Sequence, residues 1–298
     1  MITVMGATGH TGEKIATALL AAGQPVRALG RSEGKLADLA AKGAEVRAGD
    51  VADAAFLTAA FTGADAVYTL LPTDKTAPDY FARQQQEGEA IARAIRASGV
   101  RHVVALGALG ADKPEGTGLI LGLRAQEERL KAIAGINLLL LRPVSFFENF
   151  YDSLPLIAYE GINGDSVIPD LAVPMIASRD IAAVAAQALA ARNWTGVVVR
   201  ELLGPRDLSY AEATSILGAR IGQPDLAYVQ FSYADMAAAL VAAGLSESFA
   251  NVYVDMTRAF NEGTVGPLNG RTPENTTPTR FETFASDLAA AYREVRAA

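Results

Sequence analysis

Gly6-Ala7-Thr8-Gly9-His10-Thr11-Gly12 decides the fold of this chain, together with the Ile2-Thr3-Val4-Met5 run before it and the helical pattern Glu13 to Ala22 after it. Three glycines at a spacing of three, directly after a strand and opening a helix that stops at Gly23, let the backbone approach a pyrophosphate closely. They also aim helix N-terminal N–H groups at it. The expected ligand is a dinucleotide, held by Gly6, Thr8, Gly9, His10, Thr11 and Gly12.

Working outward, short β-branched runs alternate with helical patterns through the first half. That alternation predicts an α/β, Rossmann-type doubly wound parallel sheet. Candidate strands are Ile2 to Met5, Val26 to Leu29, Ala44 to Ala48, Ala66 to Leu71, His102 to Leu106 and Asn137 to Leu141. A long helix is expected from Pro78 to Ala97, with Asp79 in its first turn and Gly99 past its end. After Arg142-Pro143 the alternation fades into an irregular stretch to Met175, a helix from Arg179 to Ala191, a strand at Val197 to Leu202, and then mostly helices. The division expected is a dinucleotide-binding domain over 1–150, with later segments of about 176–205 returning to it. A smaller mixed α/β C-terminal cap, mainly helical over 151–298, would cover the substrate. Gly263 to Pro278, rich in Gly, Pro, Asn and Thr, reads as a long surface loop leading to a last helix near Arg280 to Val295.

Composition narrows the function classes. The chain has 298 residues, half of them hydrophobic, and a net charge of −7. No basic run offers itself to nucleic acid or to an anionic membrane. Cysteine is absent, so disulfides, thiol nucleophiles and thiolate metal sites are excluded together. The first strand runs straight into the glycine loop without a basic n-region, and the longest apolar runs, such as Ile136 to Leu141, fall far short of a membrane helix. A soluble, cytoplasmic protein is the expectation. The two histidines, His10 and His102, are too few for a Ser-His-Asp triad or a His-based metal site, so no metal is expected.

The choice of dinucleotide turns on the end of the second strand, Ala28-Leu29-Gly30-Arg31-Ser32. NAD-specific sites place an acid there for the ribose 2'-hydroxyl. Arg31, with Lys35 nearby, would instead pair a 2'-phosphate through charge-assisted bonds, which favours NADP(H) over NAD(H). The alternative is that both cations begin a solvated helix. In Ala48-Gly49-Asp50-Val51, Asp50 can accept from the adenine amino group while Val51 packs on the ring; otherwise Asp50 caps the helix beginning near Asp53.

These motifs, with Arg142-Pro143, Phe147-Glu148-Asn149 and the stretch Phe249-Ala250-Asn251 through Phe260-Asn261-Glu262-Gly263, resemble the NmrA-like atypical short-chain dehydrogenases. Within that group the sequence is most similar to bacterial NAD(P)H:quinone oxidoreductases and triphenylmethane-dye reductases. The resemblance covers nearly the whole chain and implies NADPH use. Departures concern catalysis: no Tyr is followed by Lys four residues later, and Leu106-Gly107-Ala108-Leu109-Gly110 carries no hydroxyl where the larger family has a catalytic Ser. Arg124 stands ahead of Glu128 where many relatives place a Lys; Arg is a poor proton donor, and an i,i+4 pair with Glu128 is its ordinary role.

No catalytic residue is therefore assigned. Hydride transfer to a quinone or similar conjugated acceptor remains open, because such an acceptor can take its protons from water and needs mainly to be held face to face with the donor. Ligands of open α/β sheets bind beyond the strands' C-terminal ends. Leu71, Pro72 and Gly107 are expected there beside the cofactor. Phe146, Phe147, Asn149 and Tyr151 either wall an aromatic slot for the acceptor or pack the cap onto the core. The rival to a reductase is a redox sensor that binds NADP(H) without turnover and regulates a partner protein. A reductase of phenylpropanoid-like substrates is a third reading, disfavoured by Arg124. Apolar strips on the long helix suggest a homodimer.

Overall fold

The computed structural model describes residues 1–297. Seven parallel strands form the main sheet: β1 (Ile2–Val4), β2 (Val26–Gly30), β3 (Glu45–Ala48), β4 (Ala66–Thr69), β5 (His102–Leu106), β6 (Asn137–Pro143) and β10 (Val197–Leu202), in the order β10-β6-β5-β4-β1-β2-β3. The winding direction reverses between β1 and β4, which opens the crevice where such sheets bind ligands. The sheet is Rossmann-like, as the glycine loop and the strand–helix alternation lead one to expect.

Both faces of the central strands are covered, so β1, β4, β5 and β6 are apolar almost throughout, whereas the edge strand β10 leaves Val197 and Val199 exposed. On one face α1 (Gly12–Ala21) packs beside α7 (Ser178–Ala191), burying Ile15, Leu19, Ile181 and Leu189 against Val4, Tyr68 and Val104. On the other lie α3 (Ala54–Phe61), α4 (Tyr80–Ser98) and α5 (Ile120–Lys131), with Leu57, Phe61, Ile91 and Leu130 against Val67, Val103 and Leu140. The short α2 (Ala37–Ala41) follows β2. Capping explains the ends of α4. Asp79 accepts from the Ala82 amide as N-cap, and Gly99 terminates the helix at φ +73°, where a side chain would be strained. Asp53, not Asp50, caps α3, taking the amides of Ala55 and Phe56.

The second half adds β7 (Ser145–Phe146), a 3-10 helix (Phe147–Ser153), α6 (Leu154–Glu160), β8 (Ile162–Asp165) and β9 (Val173–Ile176) before α7. After β10 come β11 (Asp207–Leu208), α8 (Tyr210–Ile221), β12 (Ala227–Gln230), α9 (Tyr233–Ala242), α10 (Glu247–Asn261) and α11 (Phe281–Ala297). It is less helical than the sequence pattern suggests. Two small sheets, β11-β9-β7 and β12-β8, hold it together, and their strands are too short for periodicity to reveal. The 263–278 segment is fastened along β10 and the turn after it: Leu203 exchanges backbone bonds with Asn275 and Thr277, the Leu268 amide reaches Glu201, and Arg271 pairs with Asp207. It is a tied connector to α11.

Candidate functional site

The phosphate loop is built by contacts that only glycine allows. Gly6 sits at φ +62°, and a Cβ on Gly12 would lie 2.2 Å from the Gly6 carbonyl, so α1 could not start this close to β1 with any other residue. The α1 terminus has no side-chain cap. Thr11 Oγ1 turns instead to the Tyr68 hydroxyl, 2.9 Å away and inside the core. Among the described residues, the amides of Thr8, His10 and Thr11 meet no protein acceptor. Free donors at the positive end of a helix suit a diphosphate, and the exposed Thr8, Gly9 and His10 leave it room.

The end of β2 touches this loop: a Cβ on Gly30 would stand 3.2 Å from Thr8 Cγ2. Arg31 and Lys35 follow, both exposed, and neither forms an ion pair among the described residues. Asp50 accepts from the Ala52 amide at 2.9 Å and from Arg83 Nη2 at 3.2 Å. Its carboxylate therefore sits at the C-terminal end of β3 rather than in a helix cap. Val51 is half-buried against the α3–α4 side of the core. Leu71 is buried in that same core, Pro72 is half-buried beside it, and Gly107 is buried with its amide on the Leu141 carbonyl.

Four aromatic or polar residues were candidates for the acceptor wall, and the structure separates them. Phe147 is 1% exposed, its ring 5.1 Å from that of Phe281 and 5.5 Å from that of Phe284, and it packs in the apolar core of the cap. Phe146 is partly buried against the α1–α7 side of the core. Asn149 is exposed and reaches Ser145 Oγ at 3.3 Å. Tyr151 lines an open cleft of about 590 Å³. That cleft is lined by His10 and Lys14 from the loop and α1, Glu148 and Tyr151 from the 3-10 helix, Arg179 from α7, and Phe284 and Asp287 from α11.

Several of these residues escaped sequence reasoning because they come together from positions up to nearly 280 residues apart. Glu148 is buried and accepts the Ser178 amide and hydroxyl, the latter at 2.5 Å, while that hydroxyl also reaches the His10 carbonyl at 3.2 Å. The N-terminus of α7 is thereby joined to the phosphate loop. Burial, with the carboxylates of Asp287 and Glu148 nearby, pushes the Tyr151 phenol up from its ordinary value, so it remains a hydrogen-bond donor. Arg124 is not paired with Glu128 as expected. Its Nη1 donates to the carbonyls of Ala111 and Asp112, bracing the loop after β5, and Glu128 pairs with Lys131.

A family model described as the NmrA-like family matches residues 1–285. The chain belongs to the NmrA-like family. Among relatives, it is 30% identical over 298 residues to the NAD(P)H azoreductase of Xenophilus azovorans, covering 98% of this chain and 99% of the relative. It is 33% identical over 224 residues, 75% of each chain, to the (4-alkanoyl-5-oxo-2,5-dihydrofuran-3-yl)methyl phosphate reductase of Streptomyces griseus. The structure matches the NADPH-dependent quinone oxidoreductase of Escherichia coli complexed with NADPH at a TM-score of 0.79 and 26% identity, over 97% of this chain and 99% of that one. This NmrA-like chain thus aligns end to end with reductases, in agreement with the resemblance read from its motifs. Among its described residues no helix is long and apolar enough to cross a membrane.

Proposed function

We propose that the protein is an NAD(P)H-dependent oxidoreductase that prefers NADPH and reduces quinone-like aromatic acceptors without a Tyr-Lys acid–base pair. The observation that carries the cofactor reading is the uncapped, amide-rich loop of Thr8 to Thr11 lying against the end of β2, where Arg31 and Lys35 stand without acidic partners among the described residues. Loop amides would hold the diphosphate, the two cations the 2'-phosphate, and Asp50 the adenine amino group. NADPH, when bound, supplies the hydride. The chain's own part is to orient and to exclude water above Leu71, Pro72 and Gly107.

The shape of the protein beneath β5 supports catalysis without a hydroxyl at its end. A Cβ at Gly107 would lie 2.6 Å from Glu127 Oε1, so a serine there would displace a buried carboxylate. Acceptors that draw protons from water fit such a site; ketones that need a positioned acid do not. Relatives named for azo-compound and quinone reduction support the acceptor class.

The test is loss of NADPH absorbance by the purified protein with a panel of quinones, beside NADH controls. Quinone-dependent oxidation that favours NADPH supports the reading. Tight binding of NADP(H) with no turnover on any acceptor would replace it with the sensor reading and direct attention to protein partners.

A further inference from the structure

The cleft beside the phosphate loop has an organisation that dinucleotide binding does not explain. Its wall is aromatic: the rings of His10 and Tyr151 run parallel, 9° apart in plane with centroids 6.3 Å apart, and Phe284 meets Tyr151 edge-on at 5.9 Å. Its charges are unequally committed. Arg179 is clamped by Asp287, Nη2 to Oδ2 2.5 Å, and lies 5.7 Å over the Phe284 ring. Glu148 gives both oxygens to the N-terminal turn of α7. Lys14 bonds only the His10 carbonyl, at 2.9 Å, and among the described residues has no carboxylate in ion-pair range. One uncommitted cation therefore faces a flat apolar wall, in a cavity whose volume falls within the roughly 300–1,000 Å³ of small-ligand sites.

We propose that this cleft binds a planar aromatic ring carrying one acidic group, with the ring against Tyr151 and Phe284 and the acid on Lys14. The Arg179 face adds cation–π attraction to the wall and keeps the cleft from repelling an anion. The Tyr151 phenol supplies a hydrogen bond to a carbonyl or acid oxygen. The loop carries the diphosphate on its amides and borders the cleft through the His10 ring and carbonyl, so the aromatic acid and the dinucleotide bind side by side and do not compete. The cleft shares no residue with the place above Leu71, Pro72 and Gly107 where hydride transfer is proposed, so binding here does not require turnover.

The experiment is fluorescence titration of naphthalene-2-sulfonate, which cannot be reduced by hydride transfer, into the NADP⁺-saturated protein, with 2-naphthol as the neutral control. Saturable sulfonate binding is expected. It should weaken about tenfold or more in Lys14→Gln, as loss of a charge-assisted bond implies, and it should weaken in Tyr151→Leu. Naphthol binding should be weak and indifferent to Lys14→Gln. Lys14 is half-buried at the start of α1, and an unchanged circular dichroism spectrum excludes a folding defect. The proposal is overturned by absence of sulfonate binding, by equal affinity in Lys14→Gln, or by sulfonate binding to the cofactor-free protein that is lost in the NADP⁺-saturated one. A reductase that fails in every quinone assay would leave this result standing.

Discussion

Glu127 of α5 and Arg142 of β6 close a two-bonded ion pair in the interior, Nε to Oε1 2.9 Å and Nη2 to Oε2 2.6 Å, directly behind the end of β5. The hydrogen bonds that Arg142 donates to Glu127 hold the guanidinium above its ordinary value despite burial. Both side chains are almost wholly excluded from water. Removing one partner strands the other charge. Glu127→Leu should therefore destabilise the protein by about 3–5 kcal/mol, whereas Glu127→Leu with Arg142→Met should recover most of that loss. Urea unfolding of the two variants checks it; equal losses would show that the pair is not the source of the penalty.

Arg31 tests the cofactor assignment. A charge-assisted hydrogen bond contributes about 1.5–3 kcal/mol, so Arg31→Ala should weaken NADPH binding at least tenfold and leave NADH nearly unchanged. Calorimetric titration of both cofactors measures the contrast. An unaltered NADPH affinity would mean that the 2'-phosphate is held elsewhere.

Glu87 gives the protein a pH dependence. It is buried on α4 with Arg83 Nε 2.9 Å away, and burial, outweighing Arg83, pushes its carboxyl up to about 6 from 4.5. A carboxyl raised by folding contributes stability in full below the unfolded value and loses it as pH climbs through the folded one. Glu87→Gln should thus gain about 2 kcal/mol relative to the parent on going from pH 4.5 to 7. Unfolding free energies across that range decide the matter, and parallel curves for the two proteins would contradict it.

Phe147 is a packing residue, one of the two roles its position in the sequence leaves open. As a ring enclosed by Phe281 and Phe284 it should cost about 3–5 kcal/mol of stability when cut to Ala. Tyr151→Phe, by contrast, should leave thermal unfolding nearly unchanged, since the hydroxyl has no partner among the described hydrogen bonds. A stable Phe147→Ala variant would remove this ring from the core.

What could be read from the sequence divides along physical lines. The glycine loop, β1 and α1 were legible because local sterics fix them, β5 because a buried parallel strand needs a continuous apolar run, and β10 from its β-branched run Val197-Val198-Val199 although that edge strand is partly exposed. Asp79 and Gly99 marked the long helix to within two residues at its start and one at its end. The two-residue strands β7 and β11 and the four-residue β8, β9 and β12 left no periodic trace. The cleft was invisible for a different reason: Lys14, Tyr151, Arg179 and Phe284 look like ordinary surface or core residues until α7 and α11 bring them together. Phe147 and Tyr151 could not be told apart either, because a 3-10 turn determines which ring is enclosed.

The central claim is hydride transfer from NADPH bound on the Gly6 to Gly12 loop to an aromatic acceptor. A single-turnover experiment tests it most directly: the protein is loaded with one equivalent of NADPH, or of NADPH deuterated at the transferring position of C4, and mixed rapidly with excess quinone. The account predicts complete oxidation of the bound cofactor in one phase, with the deuterated form reacting more slowly and Arg31→Ala failing to retain the cofactor. Bound NADPH that persists unchanged in the presence of every quinone would contradict it.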